Sequence, residues 1–177
     1  RVMYPTDALG LPILGTSKTL QTFTKDTILQ YMDKHYYPEN IVISVAGNIT
    51  KDLLLHIEKL FSRFEHSPKA VETTLTFPAF HSGKYVKQRD VEQSHIAISY
   101  PAIGVKHPDL NSFIVLNNII GGNTSSRLFQ EVREDRGLAY TIFSYQSCYE
   151  DVGALTIYSS TTNQQLPLLQ QTIDKTL

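Results

Sequence analysis

Residues 41–46, Ile-Val-Ile-Ser-Val-Ala, are apolar at every position except Ser44. A run of that length and composition reads as a strand buried on both faces. Its neighbours on both sides read as helices. Thr24 caps the first, with Asp26 in its opening turn and Phe23 placed to staple onto Ile28; Ile28, Tyr31, Met32 and His35 form its apolar stripe, and Pro38 stops it. Gly47-Asn48 closes the strand, and Thr50 caps a second helix with Leu53, Leu54, Ile57, Leu60, Phe61 and Phe64 on one face. The first 64 residues therefore hold one strand and two helices. One strand cannot satisfy its own backbone donors and acceptors, so it needs partners from elsewhere. Before it, residues 1–23 read as loop, punctuated by Pro5, Gly10, Pro12 and Gly15, with Leu9, Leu11, Ile13 and Leu14 as anchors into a neighbouring core.

Residues 65–82 lose periodicity and carry Pro68 and Pro78, which reads as an interdomain linker. The pattern restarts after Gly83. Lys84–Asp90 and Gln93–Tyr100 read as strands, and the second alternates cleanly. Pro108 opens a helix that runs to Ile120. Gly121-Gly122-Asn123 breaks it, Ser125 or Ser126 caps the next helix, RLFQEVREDR, and Gly137 ends that one. Leu138–Cys148 and Ala154–Ser160 read as paired strands turning at 150–153, and residues 163–177 as an amphipathic helix. The fold class is α+β: a sheet with helices packed on one face, in two domains, both incomplete. Residues 1–64 form the end of a first domain and 83–177 the beginning of a second. Such a chain, taken alone, exposes a strand edge and apolar helix faces.

Composition narrows the function. The 177 residues are 41% hydrophobic, too apolar for a disordered chain, and 16 basic against 17 acidic residues leave no electrostatic reason to expect nucleic acid or an anionic membrane. No apolar run approaches the roughly 18–20 residues of a membrane helix. The single cysteine, Cys148, fits a reducing compartment and reads as a buried, inert thiol. Among the six histidines no two lie four apart, and Glu65-His66 lacks the third ligand of an H-x-x-E-H site because position 62 is Ser. The sequence therefore assigns no metal site to this chain. GGNTSS lacks both the Lys and the glycine spacing of a phosphate loop and reads as a turn between helices. The informative segment is 121–140, GGNTSSRLFQEVREDRGLAY. Arg133 stands near the end of a helix, and Tyr140 follows the Gly137 break. The chain reverses between them, so their side chains could converge on one pocket, and an Arg with a Tyr hydroxyl suits polarising or holding a carbonyl oxygen, since both donate hydrogen bonds. The alternative is that Arg133 pairs with a neighbouring carboxylate and Tyr140 is core.

This segment resembles the second-domain signature of the insulinase/pitrilysin (inverzincin) family of zinc metallopeptidases, nearest to bacterial members related to mitochondrial processing peptidase. The family pattern is a Gly pair, Ser-Ser-Arg-Leu-Phe, then Arg-Glu-x-x-Gly-Leu-Ala-Tyr. LGLPILGT (9–16) and HYYPENIVISVAGNI (35–49) also resemble family stretches, in matching order. The resemblance implies two related α+β domains closing around a peptide, with 65–82 as the hinge between them. It implies a zinc endopeptidase whose H-x-x-E-H motif lies before the position matched by Arg1. The cofactor is then zinc in the full-length protein and none in this chain, which alone is inactive. By motif match, Arg133 holds substrate backbone or oxyanion, and Tyr140 donates a hydrogen bond to the tetrahedral intermediate. The partners implied are a peptide substrate and the remainder of the same subunit or a second subunit, as in a homodimer. The setting is bacterial cytoplasm rather than mitochondrion. The family also includes non-catalytic members that act as structural or substrate-holding subunits, and that is the alternative function.

Overall fold

The computed structural model of the chain describes residues 2–62 and 78–177. Most of the segment read as a linker, together with Phe64 and Glu65-His66, lies outside the described residues. The described residues divide into two compact units: 12–62, and 2–11 together with 78–177. Each is described by itself.

The smaller unit is helical. It holds a one-turn helix, α1 (Ser17–Leu20), then α2 (Lys25–His35) and α3 (Lys51–Phe61). The caps expected at Thr24 and Thr50 are made. Thr24 Oγ1 accepts from the Thr27 amide at 3.2 Å, and Thr50 Oγ1 from the Leu53 amide at 3.3 Å. Each satisfies one amide that the first helical turn leaves open, worth about 1 kcal/mol. The expected strand 41–46 joins no ladder, and Val42 is 94% exposed. The physical reason is that no other strand lies among the described residues of this unit. The apolar stripe of α2 is consequently open to solvent at Ile28, Tyr31 and Met32, and that of α3 at Leu53, Leu54 and Leu60. Ile13 and Leu14, expected as core anchors, are exposed for the same reason; Tyr37 is the one buried residue described in this unit.

The larger unit holds the sheet. Its elements are β1 (Ser94–Ile103), α4 (Leu110–Ile120), a wide-turned π-helical segment (Phe129–Asp135), β2 (Thr141–Cys148), β3 (Val152–Thr161) and α5 (Leu166–Thr176). The strand order is β1-β3-β2, antiparallel throughout. The hairpin β2–β3 forms where the sequence places it. The strand expected at 84–90 is unpaired; both β1 and β2 already pair with β3, and no further strand is described beside them. In register, Ile98 lies opposite Ile157 and Ile157 opposite Ser144, so even positions of β1 and β2 share a face with odd positions of β3. That face carries the core: Ile142 and Ile157 with Leu128 and Val132 from the π segment and Leu169 and Ile173 from α5. The side chains of Leu128, Val132, Ile157, Leu169 and Ile173 are all fully buried. Tyr100, on this face, lies near Asp174 of α5; burial first, and that carboxylate second, raise its phenol above the usual range. The opposite face carries the exposed His95, Phe143 and Tyr145 on its outer strands, with Ala154, Thr156 and Ser160 of β3 buried between them.

The helix expected over 127–136 forms, but it opens on one turn and then widens to π bonding. The sequence could not separate the two, because apolar positions four apart, Leu128 and Val132, suit either winding. Gly137 takes the left-handed conformation at φ 58° and ends it. Its amide and that of Leu138 bond back to the Arg133 and Val132 carbonyls at 3.2 and 2.9 Å. The expected serine cap is not made: Ser126 is buried and its hydroxyl has no partner among the described residues, while Asn123 Oδ1 accepts from the Ser125 amide at 2.8 Å.

Gly121 serves space rather than backbone freedom. Its carbonyl accepts from the Ser144 amide of β2 at 2.9 Å, and an added Cβ would lie 2.7 Å from Ser144 Oγ and 2.8 Å from that same amide nitrogen. A Cβ on Gly137 meets nothing within 4 Å. Gly137→Ala is therefore expected to cost only the left-handed penalty, about 1–2 kcal/mol, with Gly137→Asn milder. Gly121→Ala must push the turn off β2 and is expected to cost more, about 2–3 kcal/mol. Chemical-unfolding midpoints of the two variants in one background check the order; equal costs would mean that the turn does not pack as described.

Candidate functional site

Arg133 and Tyr140 come together. The widened helix turns Leu128 and Val132 into the core, and so carries Phe129 and Arg133, the next position in each case, along its flank. Gly137 reverses the chain. Tyr140 then stands one residue ahead of β2, beside the flank of the widened helix that carries Arg133. The guanidinium carbon of Arg133 lies 4.2 Å from the Tyr140 ring centroid and 4.7 Å from that of Phe129. Two rings thus hold one cation, each contact worth about 0.5–1 kcal/mol where water reaches it.

The start of β2 is fixed from β3. Thr161 Oγ1, on a 3% exposed residue, donates to the Leu138 carbonyl at 2.6 Å, and Ser159 Oγ donates to the Thr141 carbonyl at 2.8 Å. These two hydroxyls bracket Tyr140. Ala139 is buried between them and Tyr140 itself is 78% exposed. Among the described residues its hydroxyl makes no hydrogen bond. The reading of Tyr140 as a core residue is therefore not what the structure shows. The reading of Arg133 beside a carboxylate holds in part: its Nε lies 3.4 Å from Glu134 Oε1, both side chains being partly solvated. A pair of that exposure contributes little, and it leaves the terminal nitrogens of Arg133 available.

Around this pair, Arg136 is committed to Glu131 at 2.6 Å, and Arg127 makes no ion pair among the described residues. Arg127 lines two shallow clefts of about 330 and 360 Å³, one against α4 at Val115 and Ile119, the other toward Lys175 of α5. Neither includes Arg133 or Tyr140. Among the described residues no three His, Cys, Asp or Glu side chains gather as a metal-binding group. What the arrangement offers is a guanidinium edge and a phenol hydroxyl on one exposed rim, two donors suited to a carbonyl oxygen or an anion.

Phe129, Ser159 and Thr161 were not singled out from the sequence. Phe129 carried a usable signal, since a ring four residues ahead of an arginine on a helix lies beside it. The two hydroxyl residues carried none, because their role depends on which strand end lies opposite. Thr161→Val is expected to leave the Leu138 carbonyl unpaired and to destabilise by about 1–3 kcal/mol. It should also loosen Tyr140, read as faster amide exchange at 138–141 than in Thr176→Val, where the lost bond runs from Thr176 Oγ1 to the Thr172 carbonyl within α5.

Comparison with known proteins places the chain in a context. The family model described as "Peptidase M16 inactive domain" matches residues 22–177. A Bacillus subtilis protein named "Uncharacterized zinc protease YmxG" is 46% identical over 177 residues, covering all of this chain and 43% of that protein. An "Uncharacterized zinc protease" of Rickettsia felis is 41% identical, covering 94% of this chain and 40% of its own length. The chain thus spans about two-fifths of the curated relatives it matches. In fold it is similar to the crystal structure of a peptidase M16 inactive domain from Pseudomonas fluorescens, with TM-score 0.82, 22% identity, and 98% of this chain and 43% of that one covered. It is also similar to a protease from Helicobacter pylori, with TM-score 0.75, 22% identity, and 92% and 41% covered.

Proposed function

Since the chain belongs to the peptidase M16 family and carries its inactive domain, we propose that it is the part of a zinc-dependent endopeptidase that grips the substrate, with Arg133 and Tyr140 meeting the peptide while metal and general base come from outside these residues. The observation that carries this reading is the pair itself: a guanidinium 4.2 Å from a phenol ring whose hydroxyl is exposed and, among the described residues, without a hydrogen bond. A hydroxyl serving the fold would be spent on a partner. A hydroxyl exposed as this one is stands free to meet a substrate oxygen.

The roles divide by chemistry. Arg133, permanently charged and with in-plane N–H groups, holds a backbone carbonyl in the ground state and the transition state alike. The Tyr140 hydroxyl donates to the oxygen that gains charge when a peptide carbonyl becomes tetrahedral, and that bond strengthens as charge develops. The described residues of this chain gather no ligand set for zinc. The relatives at 46% and 41% identity are named zinc proteases, which supports zinc in the whole protein.

In the full-length protein, Tyr140→Phe is expected to lower kcat on an internally quenched peptide roughly 10- to 100-fold, with KM within about twofold. Unchanged kcat removes the oxyanion role. A full-length protein that binds peptides through Arg133 and Tyr140 but cleaves none would turn the reading into that of a substrate-holding subunit.

A further inference from the structure

Arg133 is a long, partly exposed side chain, and ordering one costs up to about 2 kcal/mol of rotamer freedom. Its ion pair with Glu134 sits in water and cannot offset that cost. Tyr140 supplies one ring contact, but Tyr140 is itself 78% exposed and is a weak wall. The second ring comes from Phe129, on the same helical segment, directly after the fully buried Leu128. Phe129 is half-buried and attached to the best-packed part of the core. It is the rigid side of the grip.

We propose that Phe129 is a positioning residue for Arg133: with Tyr140 it holds the guanidinium from two sides and so presents its terminal N–H groups to a peptide carbonyl. This rests on the substrate-gripping role given above to Arg133. The contact needs a π face and not merely bulk, because the attraction is between a cation and a ring quadrupole. Leucine or methionine fills similar space and offers no such face. Tyrosine keeps it.

Four variants of the full-length protein test the proposal: Phe129→Leu, Phe129→Met, Phe129→Tyr and Arg133→Met, with Phe129→Leu also built on Arg133→Met. Phe129→Leu and Phe129→Met are expected to lower kcat/KM on an internally quenched peptide roughly threefold to tenfold, and Phe129→Tyr to restore most of it. On the Arg133→Met background, Phe129→Leu is expected to cost nothing further. A second readout needs no turnover. In protein labelled with ¹⁵N-arginine, the Arg133 Nε signal should shift in Phe129→Leu and Phe129→Met and stay near its native position in Phe129→Tyr. An equal loss from Phe129→Leu with and without Arg133 would show a packing role only and overturn the proposal, as would an unmoved Arg133 signal. If Arg133→Met alone leaves turnover intact, the substrate role of Arg133 fails instead, and the labelled-arginine spectrum still decides whether Phe129 positions it. Should Phe129→Leu fail to fold, Phe129→Met carries the same expectation.

Discussion

β3 is the constraint on which the larger unit depends. It is paired along both edges, and Ile157 at its middle is fully buried beneath the π segment and α5. Its two ends do different work. Near Val152 it turns back into β2 through the tight hairpin at 149–152. Near Thr161 it supplies the hydroxyls that fix Leu138 and Thr141. Because the strand is held along its length, those hydroxyls stand in fixed places, and Tyr140 between them inherits a fixed backbone. The exposed end of the site is thus anchored by the least exposed element of the fold.

Arg133 is placed by a different logic. Its backbone is set by burial of Leu128 and Val132, and its side chain by two ring contacts and one solvated carboxylate. None of the last three is strong. A side chain so held keeps a preferred direction yet can yield a face to an incoming peptide. The phenol beside it gives up only water. Ground-state order with little to break on binding is what preorganisation requires.

Much of this was legible in the sequence. The hairpin β2–β3, the caps at Thr24 and Thr50, the break at Gly137 and the convergence of Arg133 with Tyr140 all follow from local rules of spacing and turn chemistry. What was not legible depends on partners. Residues 84–90 have strand composition, but composition does not supply the neighbouring strand, and they stay unpaired among the described residues, whereas the lack of a partner for 41–46 was expected. The open stripes of α2 and α3 were expected too, since the incomplete first piece leaves them without cover. The π winding escaped because a four-residue apolar spacing fits two helices. The serine cap escaped because Asn123, three residues earlier, took over the turn.

The contact between Gly121 and Ser144 has a consequence for how this sheet can grow. β1 and β2 are its two outer strands, and each presents a row of backbone groups to whatever approaches. On β2 that row is interrupted at mid-strand, where the Gly121 carbonyl already occupies the Ser144 amide and α4 lies alongside. On β1, among the described residues, no backbone bond is made to the outer side. The two edges thus differ as templates: an arriving strand finds β1 open from Ser94 to Tyr100, up to Pro101, which has no amide to donate, and a blocked register along β2. A polymer of identical sheets needs two open edges, and among the described residues this unit has at most one. Geometry of this kind favours a single, terminating addition over open-ended stacking.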